Sequence, residues 1–223
     1  MFKTDFEKFA NSMGINSLTL GRYQKDIDAI ISPNIVEERV GNPLMIDVFS
    51  KLFTNRILFL GTAIDNDVAN IINSQLLYLK MDGPQKGIDL YINSPGGSVY
   101  DGMSIYDTMQ YLDCPVNTTC MGLAASMASV LLIGGEKGGR AALPHSRIML
   151  HQPLGNPGYG QASDIEIYNR EIQKVKQELL ETLSNHTGID SEKLEKLCDR
   201  DKWLTASDAV EMNLIDTVIK KAN

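Results

Sequence analysis

A serine near the start of a predicted helix is the first group in this sequence that could do chemistry. Residues 122–128 read GLAASMA, so a strand-like run meets a glycine and a helix of small residues begins near Ser126. The first amides of a helix have no intrahelical acceptor, and they attract anions. Ser126 could therefore be a nucleophile with the Met127 amide as an oxyanion donor. A serine also suits tight packing and capping at a helix start, and this motif alone does not decide between the two.

A glycine turn supplies a second candidate oxyanion donor. Residues 94–98 read SPGGS and follow a strand-like run. Two adjacent glycines let a backbone amide approach a ligand closely, and Gly97 is placed to offer that amide. Taken alone, the motif is more typical of an ordinary strand-to-helix turn.

One of the three histidines is a candidate general base. His151 ends a predicted strand and precedes Gln152 and Pro153, so its imidazole can reach a neighbouring strand end. A structural histidine is the alternative for any lone residue of this type. His145 in a turn and His186 at a helix end are interpreted as structural.

A base of this kind also needs an acid to orient it. Asp199 and Asp201 lie between two predicted helices, where most carboxylates are solvated loop residues or helix caps. The residue pattern by itself does not choose between them.

The elements that must position these groups alternate along the chain. Predicted strands cover residues 35–40, 56–61, 87–92, 116–121, 147–151 and 215–219, and predicted helices cover residues 46–53, 65–81, 99–112, 125 onward, 162–185, 191–197 and 206–213. This alternation predicts an α/β fold built from βαβ units with right-handed crossovers. In such folds, functional groups gather where strands end and helices begin.

Composition narrows the function class. The chain has 223 residues and a net charge of −7, with charges of both signs interspersed, which argues against a nucleic-acid partner. Three cysteines in no zinc-like spacing indicate buried free thiols and a reducing compartment. The N-terminus has no apolar signal core, and the longest near-apolar stretch, 121–135, is shorter than the roughly 20 residues a bilayer requires. We therefore expect a cytoplasmic protein without membrane contact.

Over residues 32–219 the chain resembles the proteolytic subunit of the Clp proteases, the ClpP family of ATP-dependent serine peptidases. Five stretches carry the resemblance in family order: YINSPGGSVYDGMSIYDTMQYL, CMGLAASMASVLL, LPHSRIMLHQPLG, GQASDIEI and RDKWLTASDAVEMNLID. It implies that Ser126 is the nucleophile, His151 the general base and Asp201 the orienting acid. The spacing from His151 to Asp201 is about one residue longer than in the family, so Asp199 stays an alternative.

The resemblance also implies the rest of the site and the architecture. The backbone amides of Gly97 and Met127 would form the oxyanion hole, and Val99 and Leu154 would line the substrate groove, with no metal and no cofactor. The implied fold is a crotonase-like spiral of βαβ units, residues 32–223, with a protruding handle at about 153–186. Residues 1–31 are expected to be an N-terminal extension or propeptide.

Further expectations from the resemblance concern assembly. It implies a homo-oligomer of two stacked heptameric rings that works with a hexameric AAA+ ATPase unfoldase on unfolded polypeptides. Residues 41–50 (GNPLMIDVFS) depart from the family near its axial pore, and Ser129 is a minor departure. The alternatives are an acyl-CoA enzyme on the same crotonase-like fold and a non-catalytic ring subunit.

Overall fold

The structure is a computed structural model that describes residues 12–13, 34–37, 44–155 and 158–220. The predicted extension 1–31 lies outside the described residues except for positions 12 and 13. The same holds for 38–43, which includes the end of the first predicted strand, and for 156–157 within the predicted handle.

The described chain alternates strands and helices as predicted. The strands are β1 (Asn34–Glu37), β2 (Leu44–Asp47), β3 (Ile57–Leu60), β4 (Ile88–Ser94), β5 (Val116–Ala125), β6 (Arg140–Ala142), β7 (Arg147–Leu150), β8 (Lys202–Thr205) and β9 (Thr217–Val218). The helices are α1 (Val48–Thr54), α2 (Asn66–Asp82), α3 (Val99–Tyr111), α4 (Met127–Ile133), α5 (Ala162–Thr187), α6 (Ser191–Cys198) and α7 (Ala206–Glu211). Within these ranges, no helix has the length and apolar character that crossing a membrane requires.

The main sheet places the ends of three strands together. Its order is β3-β4-β5-β6-β9 with parallel pairing throughout, and β7 joins β5 on the side of β6. Strand β5 is long enough to pair with β6 through residues 118–120 and then with β7 through residues 123–125. Strand β8 extends β7 in the antiparallel direction. The carboxyl ends of β4, β5 and β7 consequently lie at one edge, where parallel α/β sheets place functional groups.

The core forms around β4, β5 and α4. Strand β4 alternates between buried Ile88, Leu90 and Ile92 and more exposed residues, the period-two pattern that its sequence shows. All seven residues of α4 are buried, as expected of a helix that is apolar on every side. Each large aliphatic side chain buried in this way stabilises the fold by roughly 1.5–3 kcal/mol.

Two predicted boundaries were wrong for a physical reason. The strand predicted at 116–121 continues to Ala125, because Gly122 adopts a φ of 108° inside it, where a β-carbon would lie 2.7 Å from the Asn93 side chain. The helix predicted at 46–53 begins only at Val48, because residues 44–47 pair with β1. The pattern also missed β6 and β8, which are three and four residues long.

Helix α5, in the predicted handle, has two different halves. It spans 26 residues, about 39 Å at 1.5 Å per residue, and ends at Gly188 in the left-handed conformation, φ 73°. Its second half buries Val175, Leu179, Leu180 and Leu183 against the body. Its first half leaves the apolar side chains of Ile165, Ile167 and Tyr168 exposed. The predicted helix at 162–185 is therefore confirmed and is two residues longer.

Candidate active site

Ser126 lies at the strained junction between β5 and α4. Its φ of 55° and ψ of −127° fall in a region that side-chain-bearing residues rarely adopt, at a cost of about 1–3 kcal/mol. Hydrogen bonds hold the residue on both sides: its amide donates to the Met149 carbonyl at 2.9 Å, and its carbonyl accepts from the Ser129 amide at 2.9 Å and the Ser129 hydroxyl at 2.6 Å. The side chain of Ser126 makes no capping bond to α4. The hydroxyl is therefore not used as a helix cap.

His151 meets that hydroxyl because β5 and β7 are in register. Ala125 pairs with Met149, so the residues that follow each strand leave the sheet at the same level. The His151 Nε2 lies 2.7 Å from the Ser126 Oγ, and the imidazole is only 15% exposed. The next amide, Gln152, donates to the Cys198 carbonyl at 2.8 Å and fixes the segment after the strand.

Of the two candidate acids, the structure brings Asp201 to the imidazole. Strand β8 pairs with β7 so that Leu150 faces Lys202, which sets Asp201 beside His151. The Asp201 Oδ1 lies 3.1 Å from the His151 Nδ1, and its side chain is 61% exposed. Asp199 does not contact the imidazole in this way; its backbone carbonyl accepts a hydrogen bond of 3.0 Å from the Gln152 side-chain amide. The sequence placed both acids between helices because it did not reveal β8.

Two glycines bring the 94–98 turn against the start of α4. A β-carbon on Gly96 would lie 2.5 Å from the Ala125 carbonyl oxygen, and one on Gly97 would lie 2.1 Å from the Ile64 carbonyl oxygen. Ile64 donates to the Gly96 carbonyl and accepts from the Ser98 amide, so the Gly97 amide is directed away from residue 64. The Met127 amide belongs to the first turn of α4, where amides lack intrahelical acceptors. Gly96 thus lies against Ser126 and the Met127 amide, and the role of the Gly97 and Met127 amides as oxyanion donors stays a prediction.

An apolar cleft opens beside Ser126. It is walled by α3, α4, β7, α5 and the end of α6. Val99 lines it, as predicted. Leu154 is 81% exposed and is not among the lining residues. The structure therefore brings one of the two predicted groove residues to the cleft wall and leaves the other on the surface.

Sequence reasoning missed the far wall of the cleft. Lys176, Leu179 and Leu183 on α5 and Cys198 on α6 line it. Burial raises the pKa of the Cys198 thiol to about 11, against a smaller opposing effect of the Lys176 ammonium. The sequence predicted the helix at 162–185, but no local signal indicated that one of its faces lies next to Ser126.

The arrangement can activate a hydroxyl toward a carbonyl carbon. A hydroxyl, an imidazole and a carboxylate are hydrogen-bonded in sequence, and the imidazole can take the hydroxyl proton as the oxygen attacks. Backbone amides beside the hydroxyl can stabilise the oxyanion that forms. The adjacent apolar cleft can hold an apolar substituent of the substrate.

Comparisons with known proteins identify relatives of the chain. The sequence profile of the family described as Clp protease matches residues 40–222. A protein of Porphyromonas gingivalis named "ATP-dependent Clp protease proteolytic subunit" is 54% identical over 218 residues, 97% of this chain and 98% of the relative. A protein of the same name from Bacteroides fragilis is 52% identical over 97% of this chain and 99% of its own length. The "ATP-dependent Clp protease proteolytic subunit 1" of Salinibacter ruber is 50% identical over 86% of this chain and 82% of its own length.

Proposed function

The chain belongs to the Clp protease family, and from that premise we propose that it is a serine endopeptidase, the proteolytic subunit of an ATP-dependent Clp protease. The observation that carries the proposal is the continuous contact from the Ser126 Oγ through His151 to Asp201, at 2.7 and 3.1 Å. Its substrates are unfolded polypeptides.

Acylation uses the contacts around Ser126. The His151 Nε2 accepts the hydroxyl proton while the Oγ attacks the carbonyl carbon of the scissile peptide bond. The Gly97 and Met127 amides donate to the resulting oxyanion. The imidazolium then passes its proton to the leaving amine, and the C–N bond breaks to leave an ester on Ser126.

Deacylation repeats these steps with water. The neutral His151 takes a proton from a water molecule, and the hydroxide attacks the ester carbonyl. Collapse of the second tetrahedral intermediate returns the proton to the Ser126 Oγ and releases the acid product. In both halves Asp201 holds the imidazole by its Nδ1 and stabilises the imidazolium.

Two groups next to the nucleophile are proposed to contact the substrate. Val99 lies in the cleft wall, where it contacts an apolar side chain of the bound peptide. Leu154 is exposed on the segment that follows His151, where it would contact the backbone of the bound peptide. A bound peptide would cover this exposed leucine, as expected of an apolar side chain at a binding site.

Assembly is proposed from the handle, residues about 153–186. The first half of α5 exposes Ile165, Ile167 and Tyr168, an apolar surface that the single subunit does not cover. Two stacked heptameric rings that meet through these handles would cover it and enclose the active sites. A hexameric AAA+ ATPase would then be needed to unfold substrates and feed them in.

The remaining proposals concern organisation and location. Residues 32–223 form the peptidase domain, and residues 1–31 are an N-terminal extension or propeptide. We place the protein in the cytoplasm, because Cys114, Cys120 and Cys198 are free and buried, as is usual in a reducing compartment. An acyl-CoA enzyme on the same fold is not favoured, since its chemistry does not require the Ser126–His151 contact.

The test is the variant Ser126→Ala, with Ser104→Ala at an exposed serine of α3 as a matched control that does not line the cleft. Ser126→Ala should lower kcat for a fluorogenic peptide by on the order of 10⁶. Intact mass spectrometry should show one fluorophosphonate adduct on the wild type and on Ser104→Ala, and none on Ser126→Ala. The same spectra report whether residues 1–31 are removed. Near-normal turnover by Ser126→Ala would contradict the proposal, as would a non-catalytic wild type.

A further inference from the structure

A charge pair lies at the far wall of the cleft beside Ser126. Lys176 of α5 lines the cleft, and its Nζ lies 2.6 Å from the Glu195 Oε1 of α6. The Lys176 side chain is 20% exposed, whereas that of Glu195 is 55% exposed. The lysine thus belongs to the cleft, and the glutamate reaches it from the solvent side.

The cleft is placed to take the side chain of the residue whose carbonyl is attacked. In the proposed reaction that carbonyl oxygen lies at the Gly97 and Met127 amides. The Cβ of that residue is only two bonds from the carbonyl carbon, so its side chain has to enter a space next to the two amides. Val99 and Met127 line the cleft, and Val99 is two residues after Gly97 while Met127 carries the other amide donor. A side chain that enters the cleft would meet its other lining residues, among them Leu179, Leu183 and Lys176.

Lys176 carries the only permanent charge among the residues that line the cleft. The other titratable lining groups are His151 at the mouth and Cys198, whose thiol stays neutral because burial raises its pKa to about 11. Apolar surroundings strengthen the effect of any charge left without a partner. Whether the cleft presents a positive charge to the substrate therefore depends on whether Lys176 is paired with an acid.

We propose that Glu195 determines the specificity of the peptidase by neutralising Lys176, so that the cleft prefers an uncharged side chain and rejects an acidic one. Glu195 is a positioning residue in this scheme, since it acts through Lys176 and does not touch the reacting atoms. Without Glu195, the ammonium would become a partner for a substrate carboxylate. The inference rests on the proposed peptidase function.

The experiment measures kcat/KM for two fluorogenic peptides that differ only in leucine or glutamate before the scissile bond. The ratio of the glutamate value to the leucine value should rise about five- to tenfold in Glu195→Gln, as expected for one partly screened ion pair. Lys176→Met should show no such rise, and Lys176→Met combined with Glu195→Gln should abolish it. Because Glu195 is more than half exposed, Glu195→Gln is expected to fold and assemble normally.

The outcomes separate this inference from the proposed function. An equal change for both peptides in Glu195→Gln would overturn the specificity role of Glu195, provided that the wild type cleaves the leucine peptide in a Ser126-dependent manner. A rise that persists in the double variant would also overturn it, since the gain would not depend on Lys176. A wild type with no Ser126-dependent cleavage of either peptide would refute the proposed function itself.

Discussion

Replacing the acid beside His151 tests the proposed relay most directly. Asp201→Asn keeps the shape of the side chain and removes its charge, so the imidazolium that forms during the reaction loses its counter-charge. The amide can also present an N–H to the His151 Nδ1, which favours the wrong tautomer. We expect a lower kcat with little change in KM, because the substrate does not contact Asp201.

The structure sets the size of the effect. Two unit charges about 4 Å apart interact by about 1 kcal/mol in water and about 4 kcal/mol at the effective dielectric of about 20 near a protein surface. The Asp201 Oδ1 lies 3.1 Å from the imidazole, and the carboxylate is 61% exposed, so its environment lies between these limits. At 1.36 kcal/mol per factor of ten, the expected loss in kcat is about 10²-fold, within about 5- to 10³-fold. A buried acid in this role is worth about 10⁴-fold.

The assay is steady-state hydrolysis of a fluorogenic peptide, with Asp199→Asn as the control. Asp199 carries the same charge two residues away but contacts Gln152 instead of His151. Asp199→Asn should therefore retain kcat within about threefold of the wild type, since exposed charges away from the imidazole contribute little. Light scattering on both variants shows whether assembly is intact.

Two results would refute this reasoning. A larger loss for Asp199→Asn than for Asp201→Asn would mean that the acid in solution is Asp199. A loss as large as that of Ser126→Ala would mean that Asp201 contributes more than an exposed charge can supply.

Three further predictions concern stability and assembly. Arg140 is 1% exposed and paired with Asp216 at 2.7 Å, so Arg140→Met should lower the free energy of unfolding, measured in urea, by about 3 kcal/mol. Arg170 belongs to an exposed pair, so Arg170→Met should lower it by less than about 1 kcal/mol. Equal losses in the two variants would contradict this prediction. Burial, and to a smaller extent the positive charge of Arg140, lowers the pKa of His186, so the folded state favours the neutral imidazole. Stability should therefore be full above the ordinary histidine pKa of about 6.5 and fall as the pH drops below it, and an unchanged pH profile in His186→Gln thermal melts would refute the assignment. If the proposed double ring forms through the handles, Tyr168→Asp should give seven-subunit rings where the wild type gives fourteen-subunit particles, as measured by light scattering. A tetradecamer that persists in this variant would contradict stacking through the handles.

The sequence was sufficient wherever a local pattern decides the structure. The spacing of Val68, Ile71, Ile72 and Leu76 predicts one apolar helix face, and the last three of these residues are buried. Helix α2 runs from Asn66 to Asp82 against a prediction of 65–81. The alternation of Ile88, Leu90 and Ile92 defines a half-buried strand in the same way. These preferences depend on neighbours within a few residues, which the sequence displays directly.

The sequence was misleading where a distant contact overrides the local pattern. Gly122 is typical of a strand end, yet the strand continues through it because Asn93 of the neighbouring strand accepts a hydrogen bond from the Leu123 amide at 3.1 Å. β8 has too few apolar residues to be recognised, and it becomes a strand by pairing with β7.

For the candidate site, the sequence by itself showed which residue types are available. Its resemblance to a known family then singled out Ser126, His151 and Asp201. Only the tertiary structure decided that Asp201, and not Asp199, touches the imidazole, because that depends on the register of β8 against β7. It alone also placed Lys176, 50 residues after Ser126 in the chain, in the same cleft. Contacts over such separations result from how whole strands and helices pack, which no local spacing of residues encodes.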